Sequence, residues 1–140
     1  MTRYAIDASV AIRLAREHVT VGAEHQLVAA SSLRSQVLSL LYRGVRRGEL
    51  SRPTALAILD GVTTMRIRLL GDRVSRVAAW RLAEQLGWDD TAVAECVAVA
   101  QLQADAFVTL DPELAHRLSG LVATAPFEAL LANRAAGTVG

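Results

Sequence analysis

Two acidic residues end short apolar runs: Asp7 follows Tyr4-Ala5-Ile6, and Asp111 follows Phe107-Val108-Thr109-Leu110. If those runs are neighbouring parallel strands, both carboxylates emerge at one edge of a sheet. Asp89 and Asp90 open a later helical segment, and the loop before it can reach the same edge. Three or four converging carboxylates repel one another unless a cation neutralises them. An oxygen-only arrangement of that kind suits Mg2+ or Mn2+. Each Asp also has a plainer role, because Asp is among the preferred helix N-caps. The two roles are compatible.

Composition removes competing chemistries. All 15 basic residues are Arg, so a Walker A loop and Schiff-base catalysis lack their Lys. A phosphatase built on Asp7 would also want a Lys beside the reactive Asp. His18, His25 and His116 lack metal-ligand spacing, and the one cysteine, Cys96, excludes an internal disulfide or a cysteine zinc cluster. Lying among Ala and Val residues, Cys96 reads as a small buried hydrophobe. Neither a Gly-x-Ser-x-Gly elbow nor a Gly-x-Gly-x-x-Gly loop occurs.

The chain has 140 residues, 52% of them hydrophobic and 21% charged, which suits one domain with a substantial core. No apolar run approaches the ~18 residues of a membrane helix. The segment Met1 to Asp7 lacks the apolar stretch of a signal peptide. A cytoplasmic location is therefore expected.

Patterning then supplies the elements that must position the acids. Strands are expected at Arg3 to Ile6, Gln26 to Ala30, Met65 to Leu70, Ala106 to Leu110 and Leu121 to Ala123. Between them, helices are expected over Ala8 to Glu17, Leu33 to Arg47 and Arg52 to about Leu59. Further helices are expected over Arg73 to Leu86, from Asp89 or Asp90 to about Ala104, and from Pro112 to Leu118. Ser31 or Ser32 and Asp72 read as N-caps, and Gly87 as a terminator. Leu33, Val37, Leu40 and Leu41 have the spacing of one buried helical face. A further short element is expected over Pro126 to Leu131, and the small-residue tail from 133 to 140 is expected to fray. Strands alternating with helices imply an α/β fold, a single domain over 1–132 with a central parallel sheet flanked by helices. In such a sheet, ligands bind beyond the carboxyl ends of the strands.

Tyr4-Ala5-Ile6-Asp7-Ala8-Ser9-Val10 resembles the opening strand of PIN-domain ribonucleases, especially the VapC-type toxins of toxin–antitoxin pairs. Leu33-Arg34-Ser35-Gln36-Val37 is similar to their Leu-Arg-Ser-Glu-Val helix, and Phe107-Val108-Thr109-Leu110-Asp111 to their late strand. The Ala-rich segment from Ala92 to Ala104 fits the helix between the third and fourth acids. The resemblance rests on order and spacing over nearly the whole chain. Two positions depart from it. Gln36 stands where the family's second acid is usually Glu, and the spacing puts the third acid near Val93, whereas the acids present are Asp89 and Asp90. Asp90 is preferred to Asp89, and Glu95 is a possible substitute for the missing charge.

The resemblance implies a PIN-like fold and metal-assisted hydrolysis of an RNA phosphodiester. Asp7, Asp90 and Asp111 would hold Mg2+ or Mn2+, Gln36 would orient water, and Ser9 and Thr109 would fix carboxylate rotamers. It also implies a cognate antitoxin and a homodimer, for which the helices Leu33 to Arg47 and Thr54 to Leu59 offer apolar surface. The alternative is a degenerate PIN-like module that binds RNA or a partner protein without cutting. Net charge of +1 leaves RNA binding to local clusters such as Arg43, Arg46 and Arg47, or Arg66, Arg68, Arg73 and Arg76. The six scattered aromatics suggest no stacking platform.

Overall fold

A computed structural model describes residues 1–132. The tail from 133 to 140, expected to fray, lies outside the described residues. The chain runs β1 (Thr2–Ile6), α1 (Ala8–Arg16), β2 (His25–Ala30), α2 (Leu33–Arg46), α3 (Arg52–Thr64) and β3 (Ile67–Leu70). It continues through α4 (Arg73–Leu86), α5 (Ala92–Gln103), β4 (Ala106–Val108), α6 (Pro112–Arg117) and β5 (Thr124–Ala125), then a 3-10 turn at Phe127–Leu130. The five strands form one sheet in the order β3-β2-β1-β4-β5, every pairing parallel. The expected α/β architecture, a central parallel sheet flanked by helices, is the observed one.

Strand side chains alternate between faces and so build two cores. Ile6, Leu27, Ala29 and Val108 pack with Val10, Leu14, Val37, Leu41, Ile58 and Val62 from α1, α2 and α3. Ala5, Val28, Ala30 and Phe107 face the other way, onto Ala79, Leu82, Val97 and Ala98 from α4 and α5. Helix α5 lies between the sheet and α4, and Ala94 and every residue from Cys96 to Ala100 are buried. Its Ala-rich composition follows, because a helix packed on both sides keeps close approach only with small side chains.

Helix ends follow their caps. At α4, the Ser75 N–H donates to Asp72 Oδ1 and the Asp72 N–H to Ser75 Oγ, each at 2.9 Å, and Gly87 closes the helix at φ 69°. Several expectations need correction. Strand β4 stops at Val108, short of the expected Leu110, because the chain turns there through Thr109 Oγ1 and the Asp111 N–H. Helix α3 runs past Leu59 to Thr64, its buried Val62 packing in the core and its Gly61 leaving room for α1 (a Cβ there would lie 3.2 Å from the Ala15 Cβ). Strand β3 accordingly starts at Ile67 and not at Met65, which caps α3. The last strand is Thr124–Ala125, since Leu121 and Val122 donate their N–H groups to the Leu118 carbonyl in a turn. Leu40 is 37% exposed and leaves the buried face of α2 to Leu33, Val37, Leu41 and Gly44. Among the described residues no helix is long and apolar enough to cross a membrane.

Candidate functional site

Strand β1 is central in the sheet, and its last residue, Ile6, pairs with Val108 of β4. Asp7 and Thr109 are therefore the next residues on two adjacent parallel strands, at the carboxyl edge where such sheets bind ligands. Asp7 turns the chain into α1, and its Oδ1 accepts the Val10 N–H at 2.9 Å. Burial raises the Asp7 carboxyl above its usual value, against the opposing pull of backbone N–H groups at Val10 and Ser9. Among the described residues no Arg or His lies within ion-pair distance of it.

Asp7 opens onto a cavity of about 250 Å³. Ala8 and Ser9 line it from α1, Gln36, Ser39, Leu40 and Arg43 from α2, and Ala92, Val93 and Cys96 from α5. On α2 these positions are spaced three, four and seven residues apart, so one helical stripe faces the acid. This stripe adjoins the buried one, and Leu40, expected in the core by its spacing, lies on the cavity side with Ser39, for which the sequence carries no signal. The Gln36 Nε2 donates to Ser32 Oγ at 3.2 Å, and the Ser32 hydroxyl donates to Glu95 Oε2 at 3.5 Å. Glu95, the possible substitute for the missing charge, is half-buried and linked through Ser32 to Gln36. Cys96 lies between these groups: burial first, then the charges of Asp7 and Glu95, push its thiol up to about 12. Its burial suits a packing role.

The other candidate acids sit differently. Helix α5 begins at Ala92, so Asp90 is outside it, exposed, with its Oδ1 accepting the Ala92 N–H at 3.0 Å. The expectation that Asp89 or Asp90 opens that helix is corrected, and Val93 lines the cavity at the position where spacing put the third acid. Asp89 is exposed beside Asp90. Asp111 caps α6, its Oδ1 accepting the Glu113 N–H at 2.9 Å, and the Asp111 N–H donates to Thr109 Oγ1 at 3.1 Å. The Thr109 hydroxyl thus braces the turn that carries Asp111. Among the described residues no three His, Cys, Asp or Glu side chains converge as a metal-holding group.

A hard divalent cation still has a place here. Mg2+ is commonly held by one or two carboxylates, with waters and substrate phosphates completing its shell. Asp7, enclosed and without a cationic partner, fits that demand. Asp90 and Asp111 each engage one oxygen with a backbone N–H, and a carboxylate offers about four lone-pair sites. The Arg groups divide: Arg43 lines the Asp7 cavity, Arg66 and Arg68 line a separate depression by Met1, and Arg73 and Arg76 lie on α4.

No protein-family model matches this chain, and no curated protein matches it. Among solved structures, the crystal structure of PAE2754 from Pyrobaculum aerophilum is similar. It aligns with a TM-score of 0.69 at 23% identity, over 96% of this chain and 98% of that one. The likeness establishes a shared fold over essentially the full length of both chains.

Proposed function

We propose that this protein is a cytoplasmic, metal-dependent endoribonuclease of the VapC type, the toxin of a toxin–antitoxin pair, working at the Asp7 cavity. The observation that carries the reading is Asp7 itself. A carboxylate enclosed at the end of the central strand, raised by burial and lacking a cationic partner, is a destabilising feature unless a cation uses it.

Asp7 is the principal residue to hold Mg2+ or Mn2+, with Asp111, Asp90 and Glu95 as the carboxylates available to support it. Bound there, the ion would lower the pKa of a water and neutralise charge on the scissile phosphate. The chain's own residues do the rest. Arg43, on the same helical stripe as Gln36, offers a planar fork for a phosphate. Gln36 commits its amide N–H to Ser32, which leaves its carbonyl oxygen to accept from a water. Ser9 and Ser39 add hydroxyls to the cavity wall. Exposed Leu38 and Tyr42 on α2 and Leu56 on α3 support the homodimer and antitoxin surfaces that the family resemblance implies.

A second reading, a degenerate PIN-like module that binds RNA or a partner protein without cutting, is favoured by Gln36 and Val93 at two positions where acids are usual. Calorimetric titration with Mn2+ of the full chain and of Asp7→Ala, with RNA cleavage assayed on the same samples, separates the two. Binding and cleavage that both vanish in Asp7→Ala support the nuclease. An unaltered protein that binds no Mn2+ leaves the binding module.

A further inference from the structure

We infer that the outer face of α4 is a binding groove for single-stranded RNA, leading through Arg76 towards the carboxyl edge of the sheet where the Asp7 cavity lies. Arg73, Arg76, Val77, Trp80, Arg81 and Glu84 line a shallow groove of about 370 Å³ on this helix. The indole of Trp80 is 65% exposed and Val77 is 45% exposed, while Ala79, Leu82 and Ala83 are the residues of α4 in the core. Trp80 therefore contributes little to folding, and its flat apolar surface faces outward among cations. Three Arg against one Glu make the groove positive, and among the described residues none of the three forms a salt bridge.

The occupant that matches must be anionic and must also present flat rings. An RNA strand does both at every nucleotide: a base stacks on the indole, and the flanking phosphates pair with guanidinium groups. A run of acidic residues alone meets only the charge. Position supports the same choice. Arg76 also borders a small notch with Ser31, Gly71 and Glu95 at the carboxyl edge of the sheet. Glu95 is tied through Ser32 to Gln36, which lines the Asp7 cavity. A strand leaving Trp80 along α4 towards its first turn reaches that edge over Arg76, whose charge offsets that of Glu95. The groove shares its ligand with the proposed nuclease, but its binding requires no metal and no cleavage.

The test uses the full chain in EDTA with a labelled oligouridylate of about 12 nucleotides, within the site size of single-strand binders. Tryptophan emission and anisotropy are read together; Trp88, packed against Arg117, supplies a constant background. RNA is expected to quench the emission of the parent protein but not of Trp80→Phe. Trp80→Ala is expected to weaken binding by about tenfold, the loss of one stacked base. Arg76→Ala with Arg81→Ala is expected to lower the slope of log affinity against log salt by about 1.4, at roughly 0.7 per phosphate contact on a single strand. These positions are exposed, so the variants should keep the parent's circular dichroism. Unchanged affinity in Trp80→Ala and in the Arg pair overturns the proposal, as does quenching by an oligoglutamate but not by RNA. Cleavage in Mn2+ with no role for Trp80 sinks the groove and leaves the nuclease standing. Groove binding in EDTA without cleavage in Mn2+ does the reverse.

Discussion

The ends of β1 and β4 share a pattern: an apolar strand, an Asp, then a helix that the Asp caps. Asp7 is half-buried with its carboxyl raised, and it faces a cavity walled by three helices. Asp111 is exposed, two residues further from its strand's last pair, beside a β5 of only two residues. The same local chemistry was built twice, yet only the copy on the central strand is closed over by helices from both faces of the sheet. A strand-end Asp becomes a candidate reactive group through what packs above it, and otherwise remains a cap.

The widest predicted separation is in cleavage. Asp7→Ala should reduce Mn2+-dependent RNA cleavage by more than about 100-fold, whereas Asp111→Ala should stay within the roughly 10–100-fold typical of supporting residues. Equal losses in a gel assay of both variants would erase the distinction between the two ends. Gln36→Glu restores a carboxylate beside Asp7 and should tighten Mn2+ binding about tenfold by calorimetry; unchanged affinity would show that the Gln36 position lies outside the ion's reach.

Stability should separate the two ends as well, by less. Asp111→Ala removes a cap and should cost about 1 kcal/mol in urea denaturation. Asp7→Asn should act in the opposite direction in EDTA, because Asn keeps the cap while the buried charge is gone. The folded Asp7 carboxyl lies above its unfolded value of about 3.9. Its ionised form therefore penalises the fold at neutral pH. The penalty fades as pH falls through the folded value and is absent below the unfolded one. The Tm advantage of Asp7→Asn should accordingly shrink on acidification. An advantage that grows instead would mean that the folded state favours the carboxylate.

Much of this was legible along the chain. The approximate positions of strands and helices follow from apolar period, and the Asp72 and Gly87 termini follow from backbone chemistry that operates within four residues. Errors gathered where distant segments intervene. The helix expected to end near Leu59 runs on to Thr64, and Gly61 within that extension packs against Ala15 of α1. Leu40 belongs to an apolar repeat by spacing, but the repeat is broader than the face α2 buries. Nothing near Glu95 in sequence announces its contact with Ser32, 63 positions away.

The sequence alone therefore determined the α/β architecture, the approximate places of its strands and helices, and Asp7 and Asp111 as strand-end candidate acids. Those properties depend on periodicity and on caps, which are short-range. The tertiary structure alone decided which acids are enclosed, which helical stripe faces Asp7, and where Trp80 and its arginines lie relative to the sheet's carboxyl edge. These depend on how α2, α4 and α5 close over the central strands, and that packing is set by contacts between residues tens of positions apart.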